Sequence, residues 1–155
     1  MAQICYMKGD VTQPVGEGAK MIIHIVNDRG GWGAGFVLAL SRKWSGPEGE
    51  YRAWWRSKRN FELGRIQVVR VEEECWVVNM LAQHGYRSKA VPVALSYEAL
   101  ASCLVKVRDT AKQLGAGVHA PRIGAGLGGG EWSRIEEMLQ SILVVAGVEV
   151  TIYDL

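Results

Sequence analysis

The stretch APRIGAGLGGGEW, residues 120–132, sets five glycines among thirteen residues. It lies between GVHAP (117–121), a short run suited to a buried strand, and a well-patterned amphipathic helical stretch. A strand passing through a glycine-rich turn into a helix is a unit of open α/β sheets. Ligands collect at such turns, beyond the carboxyl ends of the strands. Glycine permits positive φ and removes the Cβ that would keep an anionic group from backbone N–H donors. The question is what comes so close to this backbone.

A second segment has the same context. NDRGGWGAG (27–35) follows the apolar run MIIHIV (21–26) and precedes a helical pattern at 36–44. Strands are also expected at QICYM (3–7), RIQVVRV (65–71), CWVVNML (75–81) and VEVTIY (148–153). Several are apolar at nearly every position, as strands buried on both faces are. SGPE (45–48) has capping-box spacing and opens a helix through about residue 57. A helix over 96–114 places Tyr97, Leu100, Ala101, Leu104, Val107, Ala111 and Leu114 on one face, and Gly115 ends it. SRIE (133–136) repeats the capping signature before a helix that buries Ile135, Met138, Leu139, Ile142 and Leu143 and stops at Gly147. Strands and helices alternate with no linker or repeat, so helices packed around a largely buried sheet are expected.

Composition narrows the function classes. The chain has 155 residues, enough for one domain with its own core, and a net charge of +2. That balance makes no case for a nucleic-acid partner. RKW (42–44) and RSKR (56–59), which lie near tryptophans, read as solvated helix faces, with contact to a polyanion as the alternative. Cys5, Cys75 and Cys103 have neither disulfide nor metal spacing, and no His, Cys or carboxylate cluster implies a metal. No signal peptide is apparent and no apolar run nears membrane-spanning length, so a cytoplasmic protein with no membrane contact is expected.

Neither glycine segment matches a nucleotide fingerprint in full. There is no GK[ST], and GAGLGG (124–129) fits GxGxxG without the acidic residue expected after a second strand. Two such loops in one strand-to-helix context nevertheless favour a diphosphate ligand over two plain surface loops.

With these segments in view, the chain resembles a macrodomain, the ADP-ribose-binding module, over essentially its whole length. GDVT (9–12) is similar to the family's adenine-contacting motif. PRIGAGLGGGEW (121–132) is similar to its phosphate loop with the tryptophan that starts the last helix, and VTIYDL (150–155) to its terminal strand. DRGGWGAG (28–35), AQHGYRS (82–88) and VHAPRIG (118–124) resemble most closely the subgroup of the terminal ADP-ribose glycohydrolase and the macrodomain of the liver-cancer-amplified chromatin remodeller. The resemblance implies a single domain over 1–155 with a three-layer α/β/α fold and a mixed central sheet.

It also implies roles. Asp10 would accept a hydrogen bond from the adenine amino group, with the Val11 N–H near the ring, and Tyr153 and Leu155 would pack on the adenine face. Gly33, Ala34 and Gly35 would surround the distal ribose and one phosphate. Gly124, Ala125, Gly126 and Leu127 would embrace the other, with Gly128 beside them. Trp32 either covers the ribose or anchors its loop in the core. His24 and His119 lie inside strands and read as core histidines, whereas His84 follows a strand end.

The glycohydrolase's catalytic lysine and aspartate have no counterpart: their places fall at or beside Gln83 and at Gly128. Two readings follow. In one, the protein hydrolyses mono-ADP-ribose from modified acidic side chains with an oriented water, assisted by Asn27, Asp28, Gln83 and His84. In the other it is a non-catalytic reader. A phosphatase acting on ADP-ribose 1″-phosphate and RNA-end binding by the basic helix face are further alternatives. A free-standing domain suits an enzyme better than a reader. The expected partners are ADP-ribose and mono-ADP-ribosylated proteins, with no nucleic acid, no cofactor and a monomeric state.

Overall fold

The computed structural model describes residues 3–126 and 128–155. In chain order the elements are β1 (Cys5–Lys8), β2 (Lys20–Asn27), α1 (Phe36–Lys43), α2 (Gly46–Ser57), β3 (Ile66–Glu72), β4 (Cys75–Gln83), α3 (Tyr97–Leu114), β5 (Gly117–Ala120), α4 (Trp132–Leu139) and β6 (Val150–Asp154). The last helix runs on through a π-helical turn, Gln140–Val144. One mixed sheet has the order β1-β6-β5-β2-β4-β3, with β3 antiparallel to β4 and every other pairing parallel.

The near-continuous apolar strands divide their side chains between two cores with a period of two. On β2 and β4, Met21, Ile23, Val78, Met80 and Ala82 face α3 and α4, where they meet Leu100, Leu104, Ile135 and Leu139. Their alternates Ile22, Val26, Val77 and Leu81 face α1 and α2, where Leu40 and Tyr51 cover them. The expected three-layer α/β/α arrangement with a mixed sheet is therefore the observed one.

Three local expectations are corrected. The first strand begins at Cys5, not Gln3. Ser45 does precede α2, but in a helical conformation and without a side-chain cap. Glu48 turns instead to Arg52 Nε and Ser41 Oγ, both at 2.9 Å. Ser133 lies inside α4, whose N-cap is Glu131, again with no capping side chain. The cap that does form is at Ser96, which accepts from the Ala99 N–H, while Gly115 closes α3 at φ +63° as expected.

The parallel strands β2, β4 and β5 all end on the same side of the sheet. Their connections toward α1, α3 and α4 therefore gather on that side.

Candidate functional site

The three connections enclose a cleft of about 1030 Å³. Its floor is the end of β2, from His24 to Asn27. Its walls are the two glycine segments, Gln83 and the stretch over residues 86–92. Arg87, Lys89 and Arg122 reach it, and among the described residues no carboxylate lines it. Arg122 is already paired, since its guanidinium makes two bonds to Asp154 (2.7 and 3.0 Å) and lies over the Tyr6 and Trp132 rings. Arg87 and Lys89 have no carboxylate within 4 Å among the described residues, which leaves the cleft positive.

The first glycine segment is held from behind. Asn27 Oδ1 accepts from the Arg29 and Gly31 N–H groups (2.8 and 3.2 Å), while its amide donates to the Gly31 carbonyl (3.0 Å). Tyr51 adds its hydroxyl to the same knot, accepting from the Gly30 N–H and donating to Asn27. Trp32 is 3% exposed. Its indole N–H donates to Ser41 Oγ at 2.7 Å and its ring packs against His24 and Tyr51, so it anchors the loop in the core while also lining the cleft. Gly33, Ala34 and Gly35 are exposed on the cleft, and a Cβ at Gly33 would meet nothing within 4 Å. Among the described residues no acceptor takes the N–H groups of Gly33, Ala34, Gly35 or Phe36. They form a row of free donors at the start of α1, as an anion site requires.

The second segment has two kinds of glycine. Gly129, at φ +74°, turns the chain against the Pro92 carbonyl, and Gly130 packs on Leu95 and Ile135. The Gly128 carbonyl accepts from the Ala94 and Leu95 N–H groups (3.0 and 3.1 Å), which ties this segment to the one after β4. Gly124 and Gly126 border the cleft, and Gly126 is open to it. Ala125 is half-buried between them. Leu127, expected at this loop's phosphate contact, lies outside the described residues.

The expected catalytic group divides. Asn27 and Gln83 line the cleft, and Asp28 and His84 do not. Asn27 has both ends of its amide committed to its own loop. Gln83 donates its amide to the Gly85 carbonyl (3.0 Å), and its Oε1 lies toward Gly128. Asp28 and His84 form a pair instead, Oδ2 to Nδ1 at 2.6 Å, with the Gly85 N–H on Asp28 Oδ1 at 2.7 Å. Burial raises the Asp28 pKa, but Gly85, His84 and Arg29 outweigh it and hold the carboxyl below its usual range. The pair clasps the ends of β2 and β4 together.

Asp10, Val11, His119, Tyr153 and Leu155 lie apart from this lining, whereas His24 belongs to its floor. Asp10 is exposed. Its Oδ1 accepts from the Thr12 hydroxyl (2.7 Å) and N–H (2.9 Å), which lowers its pKa and leaves the second oxygen unengaged. Val11 is buried under the same turn. Tyr153 is 4% exposed, and its hydroxyl links His119 Nδ1 (2.7 Å) to the Val15 N–H (2.9 Å), so it braces this loop from below. Leu155 is fully exposed. His24 and His119 are buried as expected; burial lowers the pKa of each to about 4. Among the described residues no cluster of His, Cys, Asp or Glu could hold a metal ion.

Sequence reasoning missed Tyr86, Arg87, Ser88 and Lys89, which line the cleft. The available signal was position: they follow the carboxyl end of a largely buried strand, bounded by Gly85 and Pro92.

No family model matches the chain. It is 32% identical to the chromodomain-helicase-DNA-binding protein 1-like of Danio rerio over 97% of its own length, but spans only 15% of that protein. A protein of unknown function from Bacteroides thetaiotaomicron is 47% identical with a TM-score of 0.96, covering 99% of this chain and 98% of the other. The Thermosipho africanus DarTG, solved in complex with ADP-ribose, shares the fold at 18% identity and a TM-score of 0.80, over 99% of this chain and 42% of its own. A macrodomain protein from Streptomyces coelicolor is 48% identical over 99% of both chains, with a TM-score of 0.88. At that identity across the whole fold, the chain belongs to the macrodomain family.

Proposed function

We propose that this cleft binds ADP-ribose and that the protein releases it from mono-ADP-ribosylated acidic side chains. The observation that carries the reading is the pairing of two glycine-lined walls across one positive, carboxylate-free cleft. A diphosphate suits it: the free N–H groups at the start of α1 would donate to its anionic oxygens, the open backbone at Gly126 leaves room for them, and Arg87 and Lys89 are nearby. The unengaged oxygen of Asp10 supports an acceptor for an exocyclic amino group at the adenine end. The DarTG structure with ADP-ribose is consistent with the same ligand on the same fold.

The hydrolysis asks little of the protein. A carboxylate is a good leaving group, so a water held in line with the scissile bond is the main requirement. In this reading Gln83 Oε1 orients it, a choice supported by Asn27 being committed to its loop and by Asp28 and His84 pairing outside the lining. The absence of a lining carboxylate favours a second reading, a module that holds ADP-ribose without turnover.

The deciding experiment measures free ADP-ribose released from a protein mono-ADP-ribosylated on glutamate, alongside calorimetric binding of ADP-ribose. Release by the wild type, slowed at least tenfold in Gln83→Ala with binding retained, is the expected result. Binding without release establishes the reader. Failure to bind ADP-ribose at all overturns the whole assignment.

A further inference from the structure

Where the end of α2, the start of the edge strand β3 and α3 come together, a second concavity of about 290 Å³ shares no lining residue with the cleft. Trp54 from the last turn of α2, Arg59 and Asn60 from the turn after it, Arg65 and Gln67 at the start of β3, and Lys106 from α3 surround it. Three cations from three separate segments thus line one pocket, and among the described residues no carboxylate lines it with them. Their charges are poorly compensated within the protein. Lys106 Nζ donates to the Gly64 carbonyl (2.9 Å) and to Ser102 (Oγ 2.9 Å, carbonyl 3.4 Å), all neutral oxygens. Arg65 has only Glu62, at 3.7 Å and largely in solvent, and Arg59 has no carboxylate within 4 Å among the described residues. Bringing like charges around a concave surface is unfavourable unless an anion occupies it.

The aromatic residues narrow the kind of anion. Trp54 is half-buried, fixed edge-on against Phe61 (5.1 Å) with its indole N–H on the Arg59 carbonyl (3.0 Å), and it forms part of the pocket wall. Beyond the pocket the same turn carries Arg56 and Lys58, the latter 4.4 Å above the Trp55 ring. Gln67 takes no part in recognition, because its amide is committed to the Glu50 carbonyl and to Asn79. An aromatic wall among poorly compensated cations is the combination that tracks a phosphate backbone while a base stacks. An acidic peptide would use the charge and leave the aromatic wall idle.

We propose that this pocket is a binding site for single-stranded nucleic acid, with successive backbone phosphates met by Arg59, Arg65 and Lys106 and a base against Trp54. It gives the basic RSKR stretch a role that net charge alone did not indicate, and it stands whether or not the cleft turns over its ligand.

The test is fluorescence anisotropy of a labelled single-stranded RNA of about 12 nucleotides, titrated with the protein from about 50 to 200 mM salt. The expected log–log slope is about −2, near 0.7 for each of three contacted phosphates. Arg59→Gln and Arg65→Gln should each reduce its magnitude by about 0.7, and the double variant should bind at least about tenfold more weakly at low salt. Lys106 is left in place because it holds the Gly64 carbonyl. Unchanged circular dichroism and melting midpoints would show that the variants are folded; a variant that fails this check is replaced by its lysine counterpart, which should restore binding. Three results overturn the proposal: no binding at low salt, variants that bind like the wild type, or an acidic peptide or duplex RNA that binds as tightly as the single strand.

Discussion

A Cβ built on Gly130 would stand 2.6 Å from Leu95 Cδ2 and 2.8 Å from the Gly124 carbonyl oxygen, whereas one on Gly126 would meet no atom within 4 Å. The same residue type, four positions apart, answers to two different neighbours. At Gly130 the protein's own packing excludes a side chain; at Gly126 the space is left to the cleft. This separates folding from binding. Gly126→Val, at a position without positive φ, should leave the melting midpoint within a few degrees of wild type and abolish ADP-ribose binding in a calorimetric titration. Gly130→Val should lower stability by about 1–3 kcal/mol, the range for overpacking a tight site, measured by urea unfolding. If the two variants behave alike, the loop's glycines have one role and the division is wrong. The glycines can be counted in the sequence but not sorted there, because what each Cβ would touch depends on Pro92 and Leu95, distant in the chain, and on how α4 folds back Ile135.

At the scale of elements, the loop between β2 and α1 shows why a site residue and a scaffold residue are hard to tell apart in sequence. Asn27 was singled out as a polar group beside the ligand, and it does line the cleft. Its amide nevertheless serves Arg29, Gly31 and Tyr51, closing the turn that presents Gly33 to Phe36. Asn27→Ala strands two backbone N–H groups and one carbonyl, so it should cost about 2–3 kcal/mol of stability. It should also weaken ADP-ribose binding through a loosened donor row. An Asn27→Ala protein with wild-type stability and binding but slow hydrolysis would return the residue to the catalytic set. The strands were legible because burial on both faces leaves a dense apolar run, and α3 because its apolar face repeats over five turns. The two S-x-x-E matches misled because the pattern records spacing alone. At Ser45 the backbone is already helical, and the Glu48 carboxylate has stronger partners in Arg52 and Ser41. Residues 86–89 carried no periodic signal at all, being placed by Gly85, Pro92 and the Gly128 carbonyl.

For the whole molecule, both buried histidines lie on the side of the sheet that α1 and α2 cover. His24 packs edge-on against Trp32 and Phe36 with Nε2 paired to Asn79, and His119 meets Tyr153. Asn79 in turn donates to the Pro47 carbonyl and Gln67, so this core depends on a polar network whose histidines are neutral. Burial lowers both pKa values from 6.5 to about 4. The unfolded chain therefore binds more protons than the folded one between those values, and stability must fall as pH drops from about 6.5 toward 4. Asp10, Asp28, Glu48 and Asp154 are held below their ordinary values of 3.8 for the aspartates and 4.5 for Glu48, so what they contribute is kept above about pH 5 and lost as pH falls below it. The window near pH 5 thus reports the histidines. The urea midpoint should be highest near pH 7 and decline steadily to pH 4.5, with a total loss on the order of a few kcal/mol. His119→Gln, which can keep a hydrogen bond to Tyr153 but has no proton to gain, should reduce that slope whatever it does to the midpoint at pH 7. A midpoint unchanged from pH 7 to 5 would mean that both rings titrate as they do in water. The tight packing of Trp32, and with it the rigid backing of the first glycine loop, would then have to be abandoned.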